Sequence, residues 1–220
     1  MATPAPSLPT TSSSSLGAVG QLTPTTTATT TTTSAPLAST NTGFTFPLEW
    51  SFPPFFTRQI NANTRHSQDS KWASLILSYC AHHRIYKLSL TSPAAEELFH
   101  NRRLNKQLSL ADAREVLGFM RRDGRVEFMG GGNQDDGGDV VWVYWRTPEE
   151  WAALVETWVD ETAQKGTVLT LYELSQGEDT VGTEFHGLDP ELLQKALQVL
   201  VKRNKAQIFG QEDQLGVKFF

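Results

Sequence analysis

Few residues of this 220-residue chain have the type and spacing that chemistry requires. The single cysteine, Cys80, is a potential nucleophile, and the histidines His66, His82, His83, His100 and His186 are potential metal ligands or proton carriers. None of the histidines falls in an H-x-x-x-H pattern, and there is no second Cys to complete a zinc site. Cys80 ends the run Leu75-Ile76-Leu77-Ser78-Tyr79-Cys80, an apolar helical stripe in which Cys packs as a small hydrophobe. His82 and His83 close that stripe, where imidazole suits the negative end of a helix. Glycines 130–132, 137 and 138 have the composition of a phosphate loop. No Gly-Lys-Ser/Thr follows them, and Asp135, Asp136 and Asp139 would repel phosphate, so they read as a turn between strands. Glu178, Asp179 and Glu184 cluster without the spacing of a calcium loop and read as a solvated acidic loop. The sequence thus implies no catalytic residue, no metal ligand and no cofactor. It reads as a chain that works by binding.

The elements that position these residues come in two copies. Trp72-Ala73-Ser74-Leu75-Ile76 resembles Trp151-Ala152-Ala153-Leu154-Val155 at an offset of 79. Each opens a stripe at i, i+3, i+4, i+7 and i+8, one face of an amphipathic helix. The same offset carries Leu90-Thr91 onto Leu169-Thr170, each before a second helix. Pro93 suits the first turn of the earlier one. In the later one, Thr170 and Glu173 have capping-box spacing, and Gly177 suits its end. An offset of 80 then aligns the N-cap candidates Ser109 and Asp189 and the stripe Ala113, Val116, Leu117, Met120 with Leu193, Ala196, Leu197, Leu200. Two strands close each copy. Helix, strand, helix, helix, strand, turn, strand is the order of a winged helix. The expected fold class is therefore α+β, two tandem winged helices. Thr147-Pro148-Glu149-Glu150 is a capping box with Pro at its first helical position, which places the junction there. The expected division is a tail over 1–43, a Pro/aromatic segment over 44–64, and winged helices over 65–147 and 148–220.

The tail contains no Asp, Glu, Lys or Arg, and Thr, Ser, Pro and Ala dominate it. Such a segment buries too little apolar surface to offset the entropy of ordering, and it is expected to be disordered. In a secreted protein the same composition would suit a glycosylated stalk. It has neither the basic start and apolar run of a signal peptide nor the Arg of a mitochondrial presequence. A lone Cys suits a reducing compartment.

A winged helix often binds DNA through its third helix. Here those helices carry Arg114, Arg121 and Arg122, with Arg125 after, and Lys195, Lys202 and Arg203, with Lys205 after. Overall charge opposes that use. Residues 44–147 hold 13 basic and 11 acidic side chains, a net of +2, while 148–220 hold 6 and 13, a net of −7. A domain at −7 repels a polyanion and suits a basic protein partner. The expectation is no nucleic acid, with a DNA-binding transcription regulator as the alternative.

Residues 44–56 hold six aromatics and three prolines in 13 positions. Proline pre-sets an extended backbone, and aromatics give large contact area with few rotors, the composition of an interface anchor. Phe52, Pro53, Pro54, Phe55 and Phe56 are the expected partner-binding residues. The competing reading is that these rings pack on the first domain's own core.

From about Phe46 to Phe220 the chain resembles the family of the smallest ESCRT-II subunit, the vacuolar protein sorting-associated protein 25 family. The resemblance rests on Phe52-Pro53-Pro54-Phe55-Phe56-Thr57 with Asn63-Thr64-Arg65, on Trp145 to Trp151, and on Thr170-Leu171-Tyr172-Glu173-Leu174. It continues through Gly177-Glu178-Asp179-Thr180, Glu184-Phe185-His186-Gly187-Leu188-Asp189 and the ending Gly216-Val217-Lys218-Phe219-Phe220. The resemblance implies two tandem winged helices and a non-enzymatic adaptor in multivesicular-body sorting of membrane cargo. It implies a cytoplasmic protein peripherally associated with the endosomal membrane, its membrane contact indirect. Two copies of the chain would dock on the two larger ESCRT-II subunits through the Pro-Pro-x-aromatic segment. The second winged helix would recruit an ESCRT-III subunit through that subunit's basic first helix, with Tyr172, Glu173, Glu178, Asp179 and Glu184 the residues to examine.

Overall fold

The computed structural model describes residues 43–130, 138–210 and 215–220. Nearly all of the expected tail, and most of the glycine-rich turn, lie outside them. The first helix, α1 (Ala62–His82), begins where the Asn61 side chain accepts from the backbone N–H groups of Asn63 and Thr64. Its buried face is the predicted stripe of Trp72, Leu75, Ile76, Tyr79 and Cys80. The helix stops at His83, after which Arg84 takes a left-handed φ of 51°. A short strand follows, β1 (Lys87–Ser89). Then come α2 (Pro93–Phe99), capped by Ser92, and a small hairpin of β2 (His100–Asn101) and β3 (Lys106–Gln107). The unit ends with α3 (Leu110–Arg122), capped by Ser109, and the wing strands β4 (Val126–Phe128) and β5 (Val140–Val143).

The second unit repeats the plan. Helix α4 (Pro148–Glu161) starts at a complete capping box between Thr147 and Glu150. Strand β6 (Val168–Thr170) runs straight into α5 (Leu171–Gln176), where Thr170 and Glu173 form a second capping box. Helix α6 (Pro190–Lys202) is capped by Asp189, and β7 (Ala206–Phe209) and β8 (Gly216–Phe219) complete the wing. Both sheets are antiparallel with the last strand in the centre, β1-β5-β4 and β6-β8-β7. The chain is two tandem winged helices.

The register refines the repeat. Leu88 pairs with Val141 and Leu169 with Val217, so Leu169 takes the place of Leu88 and not of Leu90. In the first unit Leu90 and Thr91 link strand to helix, whereas Thr170 ends the strand and caps the helix by itself. Gly177 stands at the end of a helix, as expected. It ends α5 with φ −67°, outside the left-handed region, and glycine is required because a Cβ there would overlap the Glu173 carbonyl.

Each unit has its own core, yet the second core recruits Tyr86, Trp142 and Tyr144 from the first. Trp142 and Tyr144 belong to the outer face of the first sheet, where Lys87, Trp142 and Glu127 share one register row, while Tyr86 stacks on Trp145 at 5.5 Å. Helix α6 lies over that face. Lys195 Nζ donates to Glu127 (2.7 Å) and to the Tyr144 hydroxyl (2.8 Å), and sits 5.0 Å from the Trp142 ring. Lys87 Nζ lies 4.5 Å from the same ring and pairs with Asp189 and Glu191 at the start of α6. A buried indole flanked by two ammonium groups, each neutralised by carboxylates, joins cation–π attraction to ion pairing in one contact.

Candidate partner-binding surfaces

The Pro/aromatic segment folds as two consecutive 3-10 turns, Leu48–Ser51 and Pro53–Phe56. Pro53 stands at the first position of the second turn, where its fixed φ fits and its missing N–H costs nothing. The turns sort the side chains by face. Trp50, Phe55 and Phe56 point inward, while Leu48, Phe52, Pro53 and Pro54 point outward. The Phe55 ring stacks on Trp72 at 4.3 Å, and Phe46 stacks on Trp50 at 4.0 Å. Backbone groups are held as well. The Phe55 carbonyl accepts from Trp72 Nε1 (3.1 Å) and Gln68 Nε2 (2.8 Å), and the Trp50 carbonyl accepts from Asn101 Nδ2 (2.8 Å). Arg58, just beyond, pairs with Asp69 on α1 and Glu115 on α3.

This placement divides the expected anchor residues between two faces. Phe55 and Phe56 are 6% and 4% exposed and belong to the chain's own core. The physical reason is spacing: in a 3-10 turn both follow the two prolines onto the side that faces Trp72. Leu48, at 84%, and Phe52, at 59%, remain outside, on either side of the Trp50 anchor. The sequence reading passed over Leu48, although a large apolar residue flanking buried aromatics was the available signal.

The second surface lies on the second winged helix. Tyr172 on α5 is 73% exposed, and Val168 and Val181 are exposed as well. The carboxylates expected there divide by role. Glu173 is turned back on its own helix start, accepting from Thr170 N–H (2.7 Å) and Oγ1 (2.9 Å). The Thr170 backbone N–H holds its pKa below the usual carboxylate range. Glu184 pairs with Arg146 of the segment before α4. Glu178 and Asp179 open a 3-10 turn, Glu178–Thr180, and make no ion pair among the described residues. That turn is pinned beneath by Thr180, which is fully buried and bonded to the Gly177 carbonyl (2.9 Å) and to His186 Nδ1 (3.0 Å).

The basic residues of the third helices are largely engaged within the chain. Arg114 pairs with Asp139, Arg125 with Glu150, Lys195 with Glu127 and Lys205 with Glu156. Arg121 and Arg122 lie near the rings of Phe128 and Phe119. Cys80 is fully buried, and burial pushes its thiol up to about 12. No group of three or more His, Cys, Asp or Glu among the described residues could hold a metal ion. Among the described residues, no helix is long and apolar enough to cross a membrane.

Residues 49–189 match the family model of the ESCRT-II complex subunit. The Xenopus laevis vacuolar protein-sorting-associated protein 25 is 39% identical over 178 residues, 81% of this chain and 99% of the relative. The chain belongs to the ESCRT-II subunit family. The human protein of the same name is 40% identical, covering 80% of this chain and 98% of its own length. The Dictyostelium discoideum one is 35% identical, covering 82% and 98%. Among solved structures, subunit VPS25 of the endosomal trafficking complex ESCRT-II superposes with a TM-score of 0.71 at 29% identity, over 80% of this chain and 98% of that one. A chain of the ESCRT-II complex VPS22/VPS25/VPS36 gives 0.69 at 30% identity, over 79% and 98%. This ESCRT-II subunit therefore has a fold shared with a chain of the assembled complex.

Proposed function

We propose that the protein is a non-enzymatic adaptor of ESCRT-II, docking on the two larger subunits through its Pro/aromatic ledge and recruiting an ESCRT-III subunit through its second winged helix. The observation that carries the first half is the ledge itself. Leu48, Phe52, Pro53 and Pro54 are held outward by turns whose other faces are locked into the core. A preformed apolar edge loses little entropy on docking. Two copies per complex and indirect association with the endosomal membrane are the arrangement that the family resemblance implies. Phe52→Ala in the full chain, co-expressed with the two larger subunits, tests the docking. A loss on the order of 2 kcal/mol is expected, read as loss of co-purification at unchanged melting temperature. Undiminished co-purification would show that the ledge is not the dock.

Recruitment draws on the acidic second half. Glu178 and Asp179 are solvated and unpaired among the described residues, beside an exposed Tyr172. This combination suits the basic first helix of an ESCRT-III subunit, charge steering the approach and the aromatic giving area. The alternative, DNA recognition, requires a free third helix in a groove. Helix α6 is packed on the first sheet, and its Lys195 is spent on Glu127. Absence of a gel shift with random duplex at low salt would eliminate that alternative.

A further inference from the structure

The loop that carries Glu178, Asp179 and Glu184 is framed by the second half of the chain. Phe185 is buried edge-on against Trp158, at 5.7 Å, and Thr180 and Leu188 are buried beside it. Its outer rim, however, is fastened by the first half. Arg84 Nη1 donates to the His186 carbonyl at 2.8 Å, a bond between residues 102 positions apart. Gly187 follows with φ +77°, and its Cβ position would lie 3.6 Å from the same nitrogen. The left-handed turn thus brings the loop's backbone against the guanidinium. Arg146 makes the second tie, pairing with Glu184 while lying 5.7 Å from the Trp151 ring.

We infer that Arg84, supported by Arg146, is a positioning residue for the acidic loop, so that the first winged helix sets the geometry at which Glu178 and Asp179 meet their basic partner. The inference rests on the recruitment reading given above. Its sign separates it from simple electrostatics. Arg84 is a cation beside an acidic surface, and removing it would by charge alone strengthen attraction to a basic helix. Loss of positioning weakens binding, because the loop must then be ordered when the partner arrives.

The test uses the full chain as wild type, Arg84→Met, Arg84→Lys and Arg146→Met. Hydrogen exchange is followed over 177–189, and affinity is measured for a synthetic peptide of the basic first helix of the ESCRT-III subunit. Arg84→Met is expected to speed exchange in that loop at unchanged melting temperature. It is also expected to weaken the peptide by roughly three- to tenfold, the net contribution of about one ordinary hydrogen bond. Arg84→Lys keeps a donor for the carbonyl and is expected to recover most of the affinity. Arg146→Met is expected to loosen the loop in the same direction. Unchanged exchange, or tighter peptide binding by Arg84→Met, overturns the inference while wild-type binding leaves recruitment standing. A wild type that does not bind the peptide at all removes the recruitment reading and the inference with it.

Discussion

Phe52 and Phe56 are four positions apart, and the structure turns one outward and buries the other. Phe56 belongs to the core with Trp50 and Trp72, so Phe56→Ala is expected to cost about 3–5 kcal/mol of stability. Phe52→Ala is expected to stay within about 0.5 kcal/mol of wild type, since its ring faces outward. Urea unfolding of the two variants side by side checks the division; equal losses would contradict it. Cys80 offers a second check. Buried with a raised pKa, it is expected to resist a water-soluble thiol reagent in the native state and to react at once in denaturant. The sequence placed Cys80 on a buried stripe, but it marked Phe52 and Phe56 as anchors without showing which way they face. Composition marks an aromatic as an anchor, but only turn geometry chooses between the chain's own core and another protein.

At the scale of elements, caps were the most legible feature. Ser109, Thr147, Thr170 and Asp189 all cap the helices that their types and spacing announce, because a cap is local chemistry needing only three or four residues. The hairpin of β2 and β3 was not legible, since two-residue strands carry no period. Nor was the slip that places Leu169 opposite Val217, which depends on a link shortened between β6 and α5. Glu150 closes the box at α4 by accepting from Thr147 N–H at 2.6 Å, and this bond, chiefly, holds its pKa below the usual range. With the folded pKa below the unfolded one, its contribution is present above the unfolded value and is lost as pH falls through the folded value. Glu150→Gln is therefore expected to be less stable than wild type at neutral pH, with the gap closing below about pH 4. A gap that widened on acidification would show that the sign is wrong. Thr147→Ala is expected to cost about 1 kcal/mol, read by the same unfolding curves.

At the scale of the whole molecule, the contact between the two halves went unread, although one signal was present. Val140 to Val143 is apolar at every position, and a strand covered on only one face alternates. Trp142 had no reason to be in that run unless something covered the outer face. What covers it is α6, whose own stripe is directed into the second core, leaving Lys195 to reach across. Trp142→Ala is expected to destabilise the joined chain by about 3 kcal/mol or more and to part the halves. The calorimetric signature is two overlapping transitions in place of one. A single, merely lowered transition would mean that the halves stay coupled without the indole.

That outer face has a history within each molecule's synthesis. Trp142 and Tyr144 leave the ribosome well before Lys195, which reaches over them, and before Asp189 and Glu191, which pair with the neighbouring Lys87. At elongation rates of about 5–20 residues per second, the first winged helix waits several seconds with an aromatic face open to water. A nascent chain stalled between the two halves is the form of this protein most prone to aggregate. Holdase chaperones would have their target in the incomplete product, on a surface that the finished protein never displays.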